Sequence, residues 1–171
     1  MGRRAGGCGG AFLALALAVL AAPAAWADDP DLLSVGAGAY NALRESREAE
    51  LRLEYLFSYR FLYIVRPMAG MFATNERSFY GYGGICLDLE VGQHFVIMPE
   101  AASGFWSRGN GKDLGGPVEF KTGGEVAYRF DNFSRLGLLF DHTSNAGIYN
   151  RNPGVESALV VFSIPIGGPR P

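Results

Sequence analysis

The sequence predicts an all-β fold: an eight-stranded antiparallel transmembrane β-barrel of the outer membrane. Three observations predict it. Apolar and polar residues alternate with period two over long segments, the signature of strands with one apolar and one polar face. About eight such segments can be drawn, and several reach ten or more residues, the length of a tilted membrane strand. The connections between them alternate in length, as in barrels with short periplasmic turns and longer outer loops. Nearly half of the 171 residues are hydrophobic (49%), yet no segment after the N-terminus resembles a transmembrane helix.

The N-terminus comes first. Arg3 and Arg4 precede an apolar run from Ala11 to Leu20, and Ala25-Trp26-Ala27 stands before Asp28. A basic start, a short apolar stretch and an A-x-A site describe a secretory signal peptide, residues 1–27, removed on export. The run is interrupted by Pro23 and is shorter than the roughly 20 apolar residues of a membrane-spanning helix. Cys8 precedes that run, so cleavage leaves Cys86 as the only cysteine, and the mature chain has no internal disulfide. Residues 28–171 then form one barrel domain, in which 167–171, a Gly/Pro-rich stretch, extends as a tail beyond the last strand.

The strands are expected near 32–40, 49–57, 63–73, 79–91, 94–103, 118–130, 135–144 and 155–166. In the second, Leu51, Leu53 and Tyr55 alternate with Glu50, Arg52 and Glu54. In the fourth, Ile85, Leu87, Leu89 and Val91 alternate with Cys86, Asp88 and Glu90. The sixth is the clearest: Val118, Phe120, Thr122, Gly124, Val126, Tyr128 and Phe130 share one face, opposite a face bearing Glu119, Lys121, Glu125 and Arg129. A soluble sandwich would bury the apolar face; a small barrel turns it to lipid and pairs the charges inside. The connections at 58–62, Gly92-Gln93 and Asp131 to Ser134 are short, whereas Gly104 to Pro117 and Asn145 to Gly154 are long. With both termini in the periplasm, the long ones lie outside the cell.

The same register places Leu136, Leu138, Phe140, His142 and Ser144 on one face of the seventh strand. On the eighth, Glu156, Ala158, Val160 and Phe162 share a face. Three polar residues therefore close an apolar, lipid-facing series at the outer-leaflet end. His142 and Ser144 are separated by two rises, roughly 7 Å, a gap an imidazole can bridge. Nucleophile, base and orienting acid make a generalised triad: serine needs a base, and the base needs a partner that fixes its tautomer. The loop supplies backbone amides at Asn145, Ala146 and Gly147, with side-chain amides at Asn145 and Asn152, for an oxyanion hole. The alternative is a polar girdle at the membrane interface, but a glutamate facing lipid is costly without a partner.

The segments His142-Thr143-Ser144-Asn145-Ala146-Gly147 and Asn152-Pro153-Gly154-Val155-Glu156 resemble the signature of the PagL-type lipid A 3-O-deacylases, eight-stranded outer-membrane barrels. The order His-x-Ser-Asn, with Glu twelve residues after Ser, matches. The resemblance implies that Ser144 is the nucleophile, His142 the base and Glu156 the orienting acid of a serine carboxylic-ester hydrolase. Ala146 and Gly147 would then form the oxyanion hole, with Asn145 and Asn152 in support. It further implies hydrolysis of the ester-linked 3-hydroxyacyl chain at position 3 of lipid A, with lipopolysaccharide in the outer leaflet as substrate and no cofactor. The C-terminal tail is not matched by the family pattern. A homodimer would be one way to regulate a lipid-exposed site.

Other candidates rank lower. His94 reads as an interfacial or lumen residue. Alternation sends Asp141 to the face opposite His142. Gly81-Tyr82-Gly83-Gly84 lacks the Lys-Ser/Thr of a phosphate loop and permits sheet curvature. Asn132-Phe133-Ser134 reads as a turn, although it fits the glycosylation sequon. Trp106, Tyr80, Tyr82 and Tyr149 are candidates for an aromatic girdle. No histidine or cysteine spacing suits a metal, and with 15 basic against 17 acidic residues there is no basic patch for nucleic acid. Two non-catalytic readings stand beside the hydrolase: a small structural or adhesive barrel, and a periplasmic β-barrel lipid carrier.

Overall fold

A computed structural model describes residues 29–167. The signal-peptide segment, Cys8 and all but the first residue of the tail lie outside the described residues. The strands are β1 (Asp31–Tyr40), β2 (Glu48–Leu56), β3 (Val65–Thr74), β4 (Phe79–Leu87), β5 (Leu89–Val91), β6 (Phe95–Ser107), β7 (Val118–Arg129), β8 (Arg135–Ser144) and β9 (Val155–Ile166). All neighbours pair antiparallel, and β1 pairs with both β2 and β9. β4 and β5 are two halves of one stave interrupted at Asp88, and both pair with β6. With β4 and β5 counted as one stave, each strand pairs with its successor and β9 pairs with β1, so the nine segments make a closed eight-stranded barrel.

Burial alternates along each strand as the sequence predicts. In β8 the residues from Arg135 to Thr143 are strictly buried and exposed in turn. The outward residues include Val35, Leu51, Leu138, Val160 and Phe162, each about half exposed or more. Soluble monomers do not display an apolar belt of that extent. The belt is the lipid face, and the soluble sandwich is excluded.

The lumen is filled, and its contents fall in tiers. Nearest the termini, Asp88 accepts hydrogen bonds from Arg66 (2.8 Å) and Arg135 (2.9 Å). Midway, Lys121 Nζ lies 3.0 Å from Glu54 and 2.7 Å from Glu100, while Arg52 pairs with Glu50 and Asp141. At the opposite end Tyr40, Phe72, Tyr80 and Trp106 pack together, with Tyr40 stacked on Trp106 at 5.6 Å. Buried charges are tolerable only when paired, and these are. Cys86 is buried and free, so no disulfide bridges the described residues.

Three sequence expectations are revised. Tyr80, Tyr82 and Trp106 point into the lumen rather than to a girdle, because their positions carry the polar-face register. Other aromatics are the exposed ones: Phe57, Tyr59, Phe95, Tyr128 and Phe130 at the terminal end, and Phe79, Phe105 and Phe120 at the loop end. The sixth segment, β6, runs on to Ser107, four residues into the expected loop, because Gly104 and Phe105 pair with Glu119 and Val118. Residues 57–64 form a small hairpin of their own, closed by Phe61 and Val65 (2.8 and 2.9 Å), with Leu62 and Tyr63 at positive φ. The turn at Asn132 is as expected: its Oδ1 accepts from Ser134 N and Oγ.

Candidate active site

β8 and β9 are hydrogen-bonded neighbours, and their register puts His142 directly opposite Glu156. Both side chains leave the wall outward, 45% and 24% exposed. Nδ1 of His142 lies 3.3 Å from Oε1 of Glu156, at the long end of hydrogen bonding. That contact assigns the proton on Nδ1 and leaves Nε2 as the basic nitrogen. Ser144 sits two residues on, opposite Phe120 of β7 and half-buried. Among the described residues it makes no hydrogen bond to His142. Catalytic hydrogen bonds are commonly long without substrate. Asp141 points the other way, into the lumen, where Arg52 holds it.

Gly154 shapes the site in a way sequence reasoning missed. It adopts φ +56, and a Cβ built there would stand 2.6 Å from Cε1 and 3.0 Å from Nε2 of His142. The imidazole therefore rests against bare backbone. No single-sequence signal reveals this, since the proximity depends on how the β8–β9 loop folds back over its own strand.

The loop, residues 145–154, is organised by Asn145, which is fully buried. Its Nδ2 donates to the carbonyls of Leu114 and Arg151, both at 2.7 Å. Its Oδ1 accepts from Gly147 N (3.0 Å), and its own amide donates to Asn152 Oδ1 (3.0 Å). Asn145 is thus a brace, with both ends of its side chain occupied. Ala146 and Gly147 stand exposed at the turn with φ of 53° and 78°. Ala146 N has no acceptor among the described residues, whereas Gly147 N is held by Asn145. A second segment supports the acid: Ala42 N, in the β1–β2 connection, donates to the Glu156 carbonyl (2.8 Å).

Below His142 and Glu156, toward the middle of the belt, the outer wall carries a shallow apolar groove of about 500 Å³. Gly124, Val126, Leu138, Phe140, Ala158 and Val160 line it. Phe140 is paired with Gly124 on one side and Ala158 on the other, so small residues flank a large one. His94 lies far from here, at the terminal end, stacked on Tyr128 at 5.2 Å, as an interfacial residue would. No group of three or more His, Cys, Asp or Glu able to hold a metal occurs among the described residues.

The chain is similar to known proteins in sequence and in fold. The sequence model of the lipid A 3-O-deacylase (PagL) family matches residues 35–165. The crystal structure of the outer membrane enzyme PagL superposes with a TM-score of 0.61 at 18% identity, covering 79% of this chain and 99% of that one. A de novo designed transmembrane β-barrel superposes with a TM-score of 0.52 at 12% identity, covering 80% and 95%. No curated sequence matches the chain.

Proposed function

Since the chain belongs to the PagL family of lipid A 3-O-deacylases, outer-membrane hydrolases, we propose that it cleaves the ester-linked 3-hydroxyacyl chain at position 3 of lipid A by a Ser144-His142-Glu156 triad. One observation carries the triad: a histidine and a glutamate paired on the lipid-facing wall, where neither has a reason to be for stability.

Ser144 Oγ attacks the ester carbonyl carbon as His142 Nε2 takes its proton. Glu156 holds the imidazole through Nδ1 and stabilises the imidazolium. The carbonyl π pair moves to oxygen, which turns toward the amides of Ala146 and Gly147. Gly147 N must then exchange Asn145 Oδ1 for the oxyanion. Collapse breaks the bond to the sugar oxygen, which leaves with the proton from His142. Water, deprotonated by His142, then attacks the acyl carbon; the bond to Ser144 Oγ breaks, Oγ takes the proton back from His142, and the 3-hydroxy acid leaves. A substrate chain can lie in the groove under Phe140 without leaving the membrane. All three residues come from one chain, so a second copy is not required for chemistry. Protein folded in detergent should release 3-hydroxy fatty acid from lipopolysaccharide, and Ser144→Ala should not; equal release by both would overturn the assignment of the nucleophile.

The non-catalytic readings lack comparable support. The lumen cavity beside Glu54 and Glu125 is only about 20 Å³, no space for a carried lipid. A purely structural barrel leaves the His142–Glu156 pair without a purpose.

A further inference from the structure

The loop end of the barrel has a cavity that the chemistry above does not use. It measures about 660 Å³, and its charged residues are Arg44, Arg47, Glu48, Glu76 and Lys112. All four connections at this end contribute to it: β1–β2 gives both arginines, β3–β4 gives Glu76, β6–β7 gives Lys112 and β8–β9 gives Pro153. Three cations thus face two carboxylates, and one of those, Glu48, already accepts from Thr74 Oγ (2.6 Å).

The cations retain donors. Arg47 uses Nε on the Ala42 carbonyl (3.0 Å), which leaves its terminal nitrogens. Lys112 spends one proton on Asn41 Oδ1 (3.1 Å). The Arg44 guanidinium makes no hydrogen bond among the described residues. Burial holds the Lys112 ammonium below the ordinary lysine range; the charges of Glu156 and Glu48 oppose that effect and the charge of Arg44 adds to it. An anion between Arg44 and Lys112 would relieve their repulsion.

The cavity adjoins the site through two backbone segments. Pro153 on its rim immediately precedes Gly154, against which the His142 ring rests. Asn41 on its wall precedes Ala42, whose amide holds the Glu156 carbonyl. Lipid A is a phosphorylated glucosamine disaccharide, so its esters and its phosphates lie on the same small headgroup. Resting on the deacylase reading, we propose that Arg44, Arg47 and Lys112 form an anion subsite that takes a phosphate of the lipid A headgroup. The sugar so held presents its acyl ester over the rim to Ser144. Guanidinium and ammonium donors suit phosphate oxygens, with charge-assisted hydrogen bonds stronger than neutral ones.

The test is binding to the Ser144→Ala protein in detergent micelles, which separates recognition from turnover. The probes are bisphosphorylated lipid A and the same lipid with both phosphates removed. The phosphorylated lipid should bind about tenfold tighter or more. Adding Arg44→Gln, Arg47→Gln and Lys112→Gln together should bring the ratio close to one and leave the affinity for dephosphorylated lipid unchanged. Should the combined variant fail to fold, Arg44→Gln alone, whose side chain holds nothing of its own chain, should still lower the ratio. Equal affinity for both lipids, or a preference that survives neutralisation, overturns the subsite. Inorganic phosphate at the lipid's concentration should leave the lipid bound; displacement would overturn assignment to a lipid headgroup. Parallel assays of the Ser144 protein distinguish the two readings. Binding of phosphorylated lipid without fatty-acid release overturns deacylation and leaves the subsite standing. Hydrolysis of both lipids with one KM overturns the subsite and leaves deacylation standing.

Discussion

Replacing Gly154 by alanine tests whether the imidazole is positioned by the loop. The added Cβ would meet Cε1 of His142 at 2.6 Å. Comfortable carbon contacts begin near 3.5 Å, so ring and loop must part by about 1 Å. The ring is bounded on its other side by Glu156, whose contact at 3.3 Å has little length to spare. Displacement of that size at a catalytic base costs about 100-fold in rate. A left-handed backbone also penalises alanine, by about 1–2 kcal/mol. Both effects are local, because the lumen network lies on the other face of the wall. Gly154→Ala should therefore fold, melt slightly earlier in detergent, and lose about 100-fold in kcat with KM little changed. The measurement is release of 3-hydroxy fatty acid from lipopolysaccharide at saturating substrate, beside a thermal melt. A variant with wild-type kcat would refute the positioning argument; a variant that lost the barrel fold would show the strain to be global rather than local.

Other expectations follow from the same geometry. His142→Ala and Glu156→Ala should each lower kcat by about 10³-fold or more while leaving the melt intact, since both face outward. Asp141→Ala should do the reverse, as it takes one of two carboxylate partners from the buried Arg52 and leaves it Glu50: stability falls by about 1–3 kcal/mol, read as a lower melting midpoint, and the protein keeps its activity. Asn145→Ala leaves the carbonyls of Leu114 and Arg151 without their donor, which should open residues 145–154 to limited proteolysis and lower activity. Ala158→Leu should fill the groove beside Phe140 and shift preference toward shorter acyl chains, read by mass spectrometry of the released acids.

Strand alternation carried most of the fold. Period two is a direct record of which face meets lipid, and residues such as Leu138 and Glu125 could be assigned to opposite faces without coordinates. Closure was legible only as a strand count, because pairing of the first strand, β1, with the last, β9, has no sequence signature. The girdle failed for a physical reason. Tyr80, Tyr82 and Trp106 occupy polar-face positions, and an aromatic residue there fills the lumen; composition cannot tell a plug from a belt. At the site, same-face residues His142 and Ser144 were readable from one strand. The facing of His142 and Glu156 needed the hairpin register, which loop length alone does not fix. The inward turn of Asn145 and the bareness of Gly154 arise from loop folding, where no periodicity exists to read.

The division of labour across the wall follows from the membrane. A charge facing lipid is costly, so stability requires that the ionised side chains gather inside, where Arg52, Lys121, Asp88 and their partners satisfy one another. Such a network stiffens the wall from within and leaves the outer face free of structural duty. A reactive constellation can then be set on strands rather than on loops, which holds it more tightly. Its cost is met by location: His142, Ser144 and Glu156 stand at the last positions before the connecting loop, where headgroups and water are within reach, while Phe140 and Ala158, one pleat below, meet the hydrocarbon. An ester of a membrane lipid lies at that same boundary, between polar sugar and apolar chain. On the proposed assignment, the site would meet the scissile bond at the depth where the lipid already holds it, with the cationic cavity on the sugar side and the apolar groove on the chain side.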